Sequence, residues 1–283
     1  MNILITGAFG QLGKDIQDTC DKNRVNYTAA GSKDLDITSL PSVRSYVSRE
    51  GPDIIINCAA YNAVDRAESE WKKAFTVNGL GVRNLSLAAN EVDACIVHYS
   101  TDYVFDGKSD RPYTIADIPN PISLYGKSKF LGEKMVRDIA HRFILIRTSW
   151  VFGIGNDNFP KKIIAWSKEK KEIKVVTDQV SSPTYTKDLA RASLELIDKG
   201  GSGIYHITNA GQCSRYEWSE FILKEIGWQG TILAATSDEF PAPAKRPEFS
   251  VLDDFGTPEF LGHPLPDWKD ATRRFLEEMK VLV

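Results

Sequence analysis

Short runs of β-branched and other apolar residues alternate along this chain with longer stretches whose apolar positions recur at helical spacing. Strands are predicted at residues 2–6, 26–30, 53–58, 94–100, 143–148, 173–177 and 204–208. Between them the periodicity predicts helices over 11–22, 40–49, 68–90, 126–140, 158–170 and 186–199, with Asn90 and Gly200 as stops. Ile54-Ile55-Ile56 and Phe143-Ile144-Leu145-Ile146 are apolar at successive positions, so both faces of those strands need cover. The pattern predicts an α/β chain with a parallel sheet and helices on both sides of it. Past Thr208 the alternation weakens, and Pro241, Pro243, Pro247, Pro258, Pro264 and Pro266 mark a loop-rich region before a last amphipathic helix from about Asp267. The expected division is a sheet domain of residues 1–150 and 173–208, with a smaller lobe from residues 151–172 and 209–283.

Composition narrows the class. With 283 residues, 42% hydrophobic and 26% charged, the chain can bury roughly three quarters of its unfolded surface, which excludes wholesale disorder. Lys+Arg 35 against Asp+Glu 38 leaves a net charge of −3, and the short Lys168-Glu169-Lys170-Lys171 run reads as a solvated helix end, so no nucleic-acid partner is expected. Apolar runs last only a few residues, and the Met1-Asn2-Ile3-Leu4-Ile5 start lacks the basic residues of a signal peptide. No membrane partner and a cytoplasmic location are expected. Cys20, Cys58, Cys95 and Cys213 are too scattered for a metal knuckle or a disulfide framework and read as buried free thiols. The four histidines are equally dispersed, and no metal ligand is assigned.

Gly7-Ala8-Phe9-Gly10-Gln11-Leu12-Gly13 lies between the first predicted strand and the first predicted helix. In a dinucleotide turn of this form, Gly7 permits the tight bend, Gly10 lets the backbone approach a pyrophosphate, and Gly13 lets the helix pack on the strand. The helix N-terminus then faces the anion with free N–H groups. The turn favours a Rossmann-type doubly wound sheet over a closed eight-stranded barrel. Ala30-Gly31-Ser32-Lys33 stands where an NAD-specific fold carries an acid, so Ser32 and Lys33 are candidate donors to a 2′-phosphate and NADPH is the expected cofactor, with NADH as the alternative. An exposed loop lysine is the plainer reading of Lys33. Asp36 and Ile37 are candidates for the adenine edge and face. Ala59 and Ala60, after the third strand, offer a low wall for the ribose–nicotinamide half or are simple core packing.

Tyr125 and Lys129 are four apart, which on a helix brings a phenol and an ammonium to one face. A neighbouring cation and a positive nicotinamide ring are expected to lower the phenol's pKa and fit it for general acid–base work; a surface pair at this spacing is the alternative. Tyr99-Ser100-Thr101-Asp102 ends the fourth strand, where doubly wound sheets bind ligands, so Thr101 is a candidate donor to a carbonyl oxygen and Asp102 its neighbour in the proton network. Trp150, after the fifth strand, is a candidate plate for a sugar ring or a core aromatic.

Together, GAFGQLG, Asn57–Tyr61, Val64-Asp65-Arg66-Ala67-Glu68, YSTDYVFDG, YGKSK, RTSWVFG, Asp178-Gln179 with Ser182-Pro183-Thr184, and Arg246-Pro247 resemble the dTDP-4-dehydrorhamnose reductases, extended short-chain dehydrogenase/reductases, over residues 2 to about 253. The resemblance implies that the smaller lobe binds substrate. It also implies that Gly10, Gln11, Leu12, Asp36, Ile37, Ala60, Tyr61, Asn62, Tyr125 and Lys129 meet the cofactor. Thr101, Asp102 and Trp150, with Val64 and Arg246, would meet a dTDP-sugar. The implied reaction reduces the 4-keto group of dTDP-4-dehydro-β-L-rhamnose to dTDP-L-rhamnose, in a monomer or homodimer. Some relatives carry Mg²⁺, for which this sequence places no ligand set. Where the family pattern leads one to expect an asparagine after Arg246-Pro247, the chain reads Glu248-Phe249-Ser250. The rivals are an epimerase or dehydratase of the same superfamily and a non-catalytic regulatory subunit. The dehydratases follow the threonine with two acids, whereas Thr101-Asp102 is followed by Tyr103. The intact Thr101, Tyr125 and Lys129 set argues against the regulatory role.

Overall fold

The computed structural model describes residues 1–282. Six parallel strands form the main sheet: β1 (Asn2–Thr6), β2 (Asn26–Ala30), β3 (Ile54–Asn57), β4 (Cys95–Thr101), β5 (Phe143–Thr148) and β6 (Gly203–His206). Their order across the sheet is β2-β1-β3-β4-β5-β6, so the winding reverses between β1 and β3. In doubly wound sheets that reversal opens a crevice at the carboxyl ends of the strands.

Successive apolar residues do feed two cores. Ile3, Ile5, Ile54, Ile56 and Val97 pack on one face with Ile16 and Leu189 from helices Gln11–Asn23 and Thr186–Asp198. Leu4, Ile55 and Ile96 pack on the other with Val43, Leu85 and Val136 from helices Leu40–Glu50, Val82–Glu91 and Leu124–Ile139.

Three expectations need correction. The strand expected at 173–177 forms at Glu172–Val176, but it pairs in parallel with Thr231–Ala235, outside the main sheet. Its Ile173 and Val175 are buried with Ile163, Trp218, Ile222 and Phe275, in the core of the smaller lobe. The single helix expected over 68–90 is broken into a 3-10 turn at Arg66–Glu68, a short helix Trp71–Phe75, a π-helical turn Thr76–Gly81 and the helix Val82–Glu91. The π turn contains Asn78, whose amide bonds reach the Tyr61 backbone and Ser128; such bulges widen a helix to re-aim a side chain. The region after Thr208 is also more regular than its prolines suggest, with a helix at Arg215–Glu225 started by a Ser214–Glu217 capping box. The final helix runs Trp268–Glu278 behind its Asp267 cap.

A buried ion pair fastens helix Leu124–Ile139 to the sheet. Arg147 on β5 donates to both oxygens of Glu133 at 2.9 and 2.8 Å, with side-chain exposures of 1% and 0%. Removing one partner of such a pair strands a charge in the core at about 3 to 5 kcal/mol. Glu133→Ala is therefore expected to lower the unfolding free energy in urea by that amount, and a loss below about 1 kcal/mol would contradict the pairing.

Candidate active site

A cleft of about 870 Å³ opens at the carboxyl ends of the strands, where the winding reverses. At one end is the glycine turn. Gly7 adopts φ +62, and a Cβ there would lie 2.5 Å from the Ala59 nitrogen, so no other residue lets the turn lie against the end of β3. Helix Gln11–Asn23 begins at Gly10 with no side-chain cap and no acid in its first turn. Its first N–H groups are left for an anionic ligand. These observations fit the pyrophosphate of a dinucleotide.

Gly7, Gly10, Gln11, Leu12, Gly13, Ser32, Asp36, Ile37, Ala59, Ala60, Tyr61 and Asn62 all line this cleft. Lys33 is exposed and stands outside the lining. Asp36 is partly committed, accepting from Thr38 N at 2.9 Å and Thr38 Oγ1 at 2.7 Å. Tyr61 is pinned by the π turn: its N–H donates to Asn78 Oδ1 at 2.8 Å, while Asn78 Nδ2 donates to its carbonyl at 3.0 Å and to Ser128 Oγ at 2.9 Å. Beneath the cleft, Thr6 donates to Asn57 and Asn57 Nδ2 donates to His98 Nδ1, joining the ends of β1, β3 and β4.

The other end gathers the chemistry. Ser123 caps helix Leu124–Ile139, which places Tyr125 in its first turn and Lys129 one turn on, both facing the cleft. Thr101 and Asp102, leaving β4, also line it, and the Thr101 hydroxyl donates to Asp102 Oδ1 at 2.9 Å. Burial raises the Tyr125 phenol well above the usual tyrosine value, the nearby Asp102 charge adds to this, and the Thr101 hydroxyl opposes it. The direction is opposite to that expected from a lysine at i+4. Lys129 is spent differently: its ammonium, 4% exposed, donates to Tyr99 O at 2.6 Å, and burial pulls it down to about 8 against the opposing charge of Glu133. Tyr125 thus keeps its proton at neutral pH until something else in the cleft favours its release.

Asp102 is 2% exposed, and burial pushes its carboxyl up to about 6 while hydroxyls hold it down. Ser250 Oγ donates to its Oδ2 at 2.6 Å, and Ser181 Oγ lies 3.4 Å from the same oxygen. Two segments from outside the main sheet therefore meet at the residue that follows β4.

Val64 and Trp150 line the cleft as expected, Val64 packing beside Tyr125. Trp150 holds a left-handed φ of 44, and its ring carries the Arg215 guanidinium 3.5 Å above the centroid, so the plate expected for a sugar is shared with a cation. Arg246 is outside the lining; its guanidinium pairs with Asp65 at 2.7 Å and ties the smaller lobe to the loop after β3. Of the cysteines, Cys20, Cys95 and Cys213 are buried, whereas Cys58 is half-buried in the cleft wall.

Sequence reasoning missed Lys73, Tyr103 and Arg215 in the lining. Tyr103 meets Tyr125 edge to face at 5.8 Å. Arg215 stands in a helix start in the region read as loops, and its position in the chain gave no signal.

A doubly wound sheet with an uncapped glycine-turn helix at one end of its crevice and a Tyr–Lys pair at the other is the arrangement of a short-chain-dehydrogenase-like protein. Residues 1–281 match the family described as RmlD substrate binding domain, and the chain belongs to it. It is 40% identical to the spore coat polysaccharide biosynthesis protein SpsK of Bacillus subtilis over 98% of this chain and 97% of that protein. It is 37% identical to a dTDP-4-dehydrorhamnose reductase of Aggregatibacter actinomycetemcomitans, covering 96% and 97%. The crystal structure of dTDP-4-dehydrorhamnose reductase from Bacillus anthracis in complex with NADP matches with a TM-score of 0.94 at 38% identity, covering 98% of this chain and 99% of that one.

The Asp102 environment has a pH signature. A carboxyl titrating near 6 in the fold and near 3.9 in an open chain binds its proton more tightly when folded, so its contribution to stability is full below pH 4 and lost as pH rises through 6. Asp102→Asn removes that dependence. The variant is expected to gain on the parent by about 2 kcal/mol between pH 4 and pH 7.5 in urea unfolding, and an unchanged difference would refute the buried carboxylate.

Proposed function

We propose that this chain reduces the 4-keto group of dTDP-4-dehydro-β-L-rhamnose to give dTDP-L-rhamnose, with NADPH as the reductant. The observation that carries the reading is that a proton-bearing phenol, a threonine hydroxyl and a buried ammonium share one cleft with a glycine turn suited to a pyrophosphate. When bound, the dinucleotide supplies hydride to the carbonyl carbon.

The residues supply the rest. Gly7, Gly10, Gln11 and Leu12 receive the pyrophosphate, and Tyr61 and Asn62, set by Asn78, hold the cofactor's central part. Tyr125 gives its proton to the carbonyl oxygen as negative charge develops there, which is where a phenol kept protonated by burial is useful. Thr101 turns its O–H from Asp102 to the same oxygen, while Ser250 keeps Asp102 satisfied. Lys129 then steadies the phenolate. The missing second acid after Asp102 favours reduction over dehydration, and the complete Tyr125, Lys129 and Thr101 set favours catalysis over a purely regulatory role.

Absorbance loss of NADPH with enzymatically made dTDP-4-dehydrorhamnose tests the reaction. Tyr125→Phe is expected to lower kcat by roughly 10²- to 10⁴-fold with NADPH affinity nearly unchanged. Retention of a tenth of the activity by that variant would remove Tyr125 from the chemistry. Cofactor choice is tested at Ser32, which lines the cleft where Lys33 does not. Ser32→Asp brings a carboxylate against a 2′-phosphate, so kcat/KM for NADPH is expected to fall about tenfold or more while that for NADH changes little. Equal effects on both would mean that Ser32 does not read the ribose.

A further inference from the structure

Arg215 lines the cleft and has no part in the chemistry above. It is the first residue of helix Arg215–Glu225, its N–H donates to Gln179 O at 3.1 Å, and the preceding Cys213–Ser214 pairs with Val180–Ser181. Its backbone position is therefore fixed by the Gln179–Ser181 segment. The guanidinium carbon lies 3.5 Å over the Trp150 ring and 4.5 Å from the centroid of Phe159. Aromatic faces this close set the plane of the group and shed water from it, leaving the N–H edge as its polar outlet.

Arg147, Arg246 and Arg274 each hold a carboxylate at 2.6 to 2.8 Å. Among the described residues no carboxylate reaches salt-bridge distance of Arg215, and Asp102, the carboxylate whose charge acts on it, is occupied by Thr101 and Ser250. Burial lowers the group only to about 10, so it is a cation at neutral pH. A half-buried guanidinium with no carboxylate partner is poorly compensated, and a ligand that brings the charge offsets this. The other lining cations are placed for different work: Lys129 is bonded to Tyr99 O, and Lys73 lies 5.9 Å from the ring of Tyr61 in the cofactor half. The strained φ of Trp150 belongs to the same construction, since it aims the ring that carries Arg215.

We propose that Arg215, stacked on Trp150, receives the diphosphate of the sugar nucleotide through its N–H fork and so fixes how far the sugar enters toward Tyr125. The assignment rests on the reading that the ligand is a sugar nucleotide, and a sugar carboxylate is the other source of the same anionic chemistry.

The test needs no turnover. Protein saturated with NADP⁺ is titrated with thymidine, dTMP and dTDP. The parent is expected to bind dTDP more tightly than thymidine. Arg215→Met is expected to weaken dTDP by about tenfold or more while leaving thymidine and NADP⁺ affinity unchanged. Arg215→Lys, which keeps the charge but lacks the fork, should recover part of the loss and provides a second variant if methionine compromises folding. An equal loss for thymidine and dTDP would make Arg215 a packing residue and overturn the proposal. So would an undiminished dTDP affinity, which would leave the guanidinium for an anion on the sugar. If UDP binds with the same Arg215 dependence and thymidine nucleotides do not bind, the dTDP-sugar reading fails and the diphosphate assignment stands.

Discussion

The bidentate pair between Glu133 and Arg147 is the contact on which the cleft depends. It lies one helical turn beyond Lys129 and clamps helix Leu124–Ile139 to the fifth strand of the sheet, so that the phenol and ammonium project over the end of the fourth. The negative charge of Glu133 also opposes the pull of burial on the Lys129 ammonium. The connection continues through Arg147 to the neutral imidazole of His206, whose Nδ1 meets the Asp253 carbonyl in the smaller lobe. One buried pair thus joins the reacting helix, the sheet and the outer lobe, and in a low-dielectric interior such a pair specifies geometry more than it adds stability.

Asp102 has the complementary role at the surface of the sheet. Its two oxygens are claimed by Thr101 of its own strand end and by Ser250 from the far end of the chain. Ser250 occupies the stretch where the family pattern led to an asparagine, and a hydroxyl suffices there because the partner is a carboxylate that only accepts. The outer lobe therefore helps set the protonation state of a group beside the reacting phenol, in addition to closing the cleft.

Much of this could be read from the sequence because the governing interactions are local. Three consecutive isoleucines at 54–56 can be buried only if both faces of a strand are covered, and they are. The glycine turn and the Tyr125–Lys129 interval are matters of a few residues, and both came out in one cleft. What stayed hidden depends on partners remote in the chain. The strand Glu172–Val176 alternates as well for one sheet as for another, and its choice was decided by Thr231–Ala235. The pairing of Arg246 with Asp65 and the hydrogen bond from Lys129 to the Tyr99 carbonyl likewise join residues far apart in the chain. Arg215 had no sequence signature because what marks it is the lack of a carboxylate partner among the described residues, a property visible only once the fold has arranged the charges.

The widened helical turn at Thr76–Gly81 carries a lesson for engineering. An ordinary α-helix through those residues would have the better hydrogen-bond ladder, and a search for thermostable variants would tend to straighten it. Straightening would rotate the Asn78 amide away from Tyr61 and Ser128, loosening the loop against which a bound dinucleotide would rest. The heat tolerance gained in that way would come with a slacker grip on the coenzyme, so this turn is a position to hold fixed while the rest of the scaffold is varied.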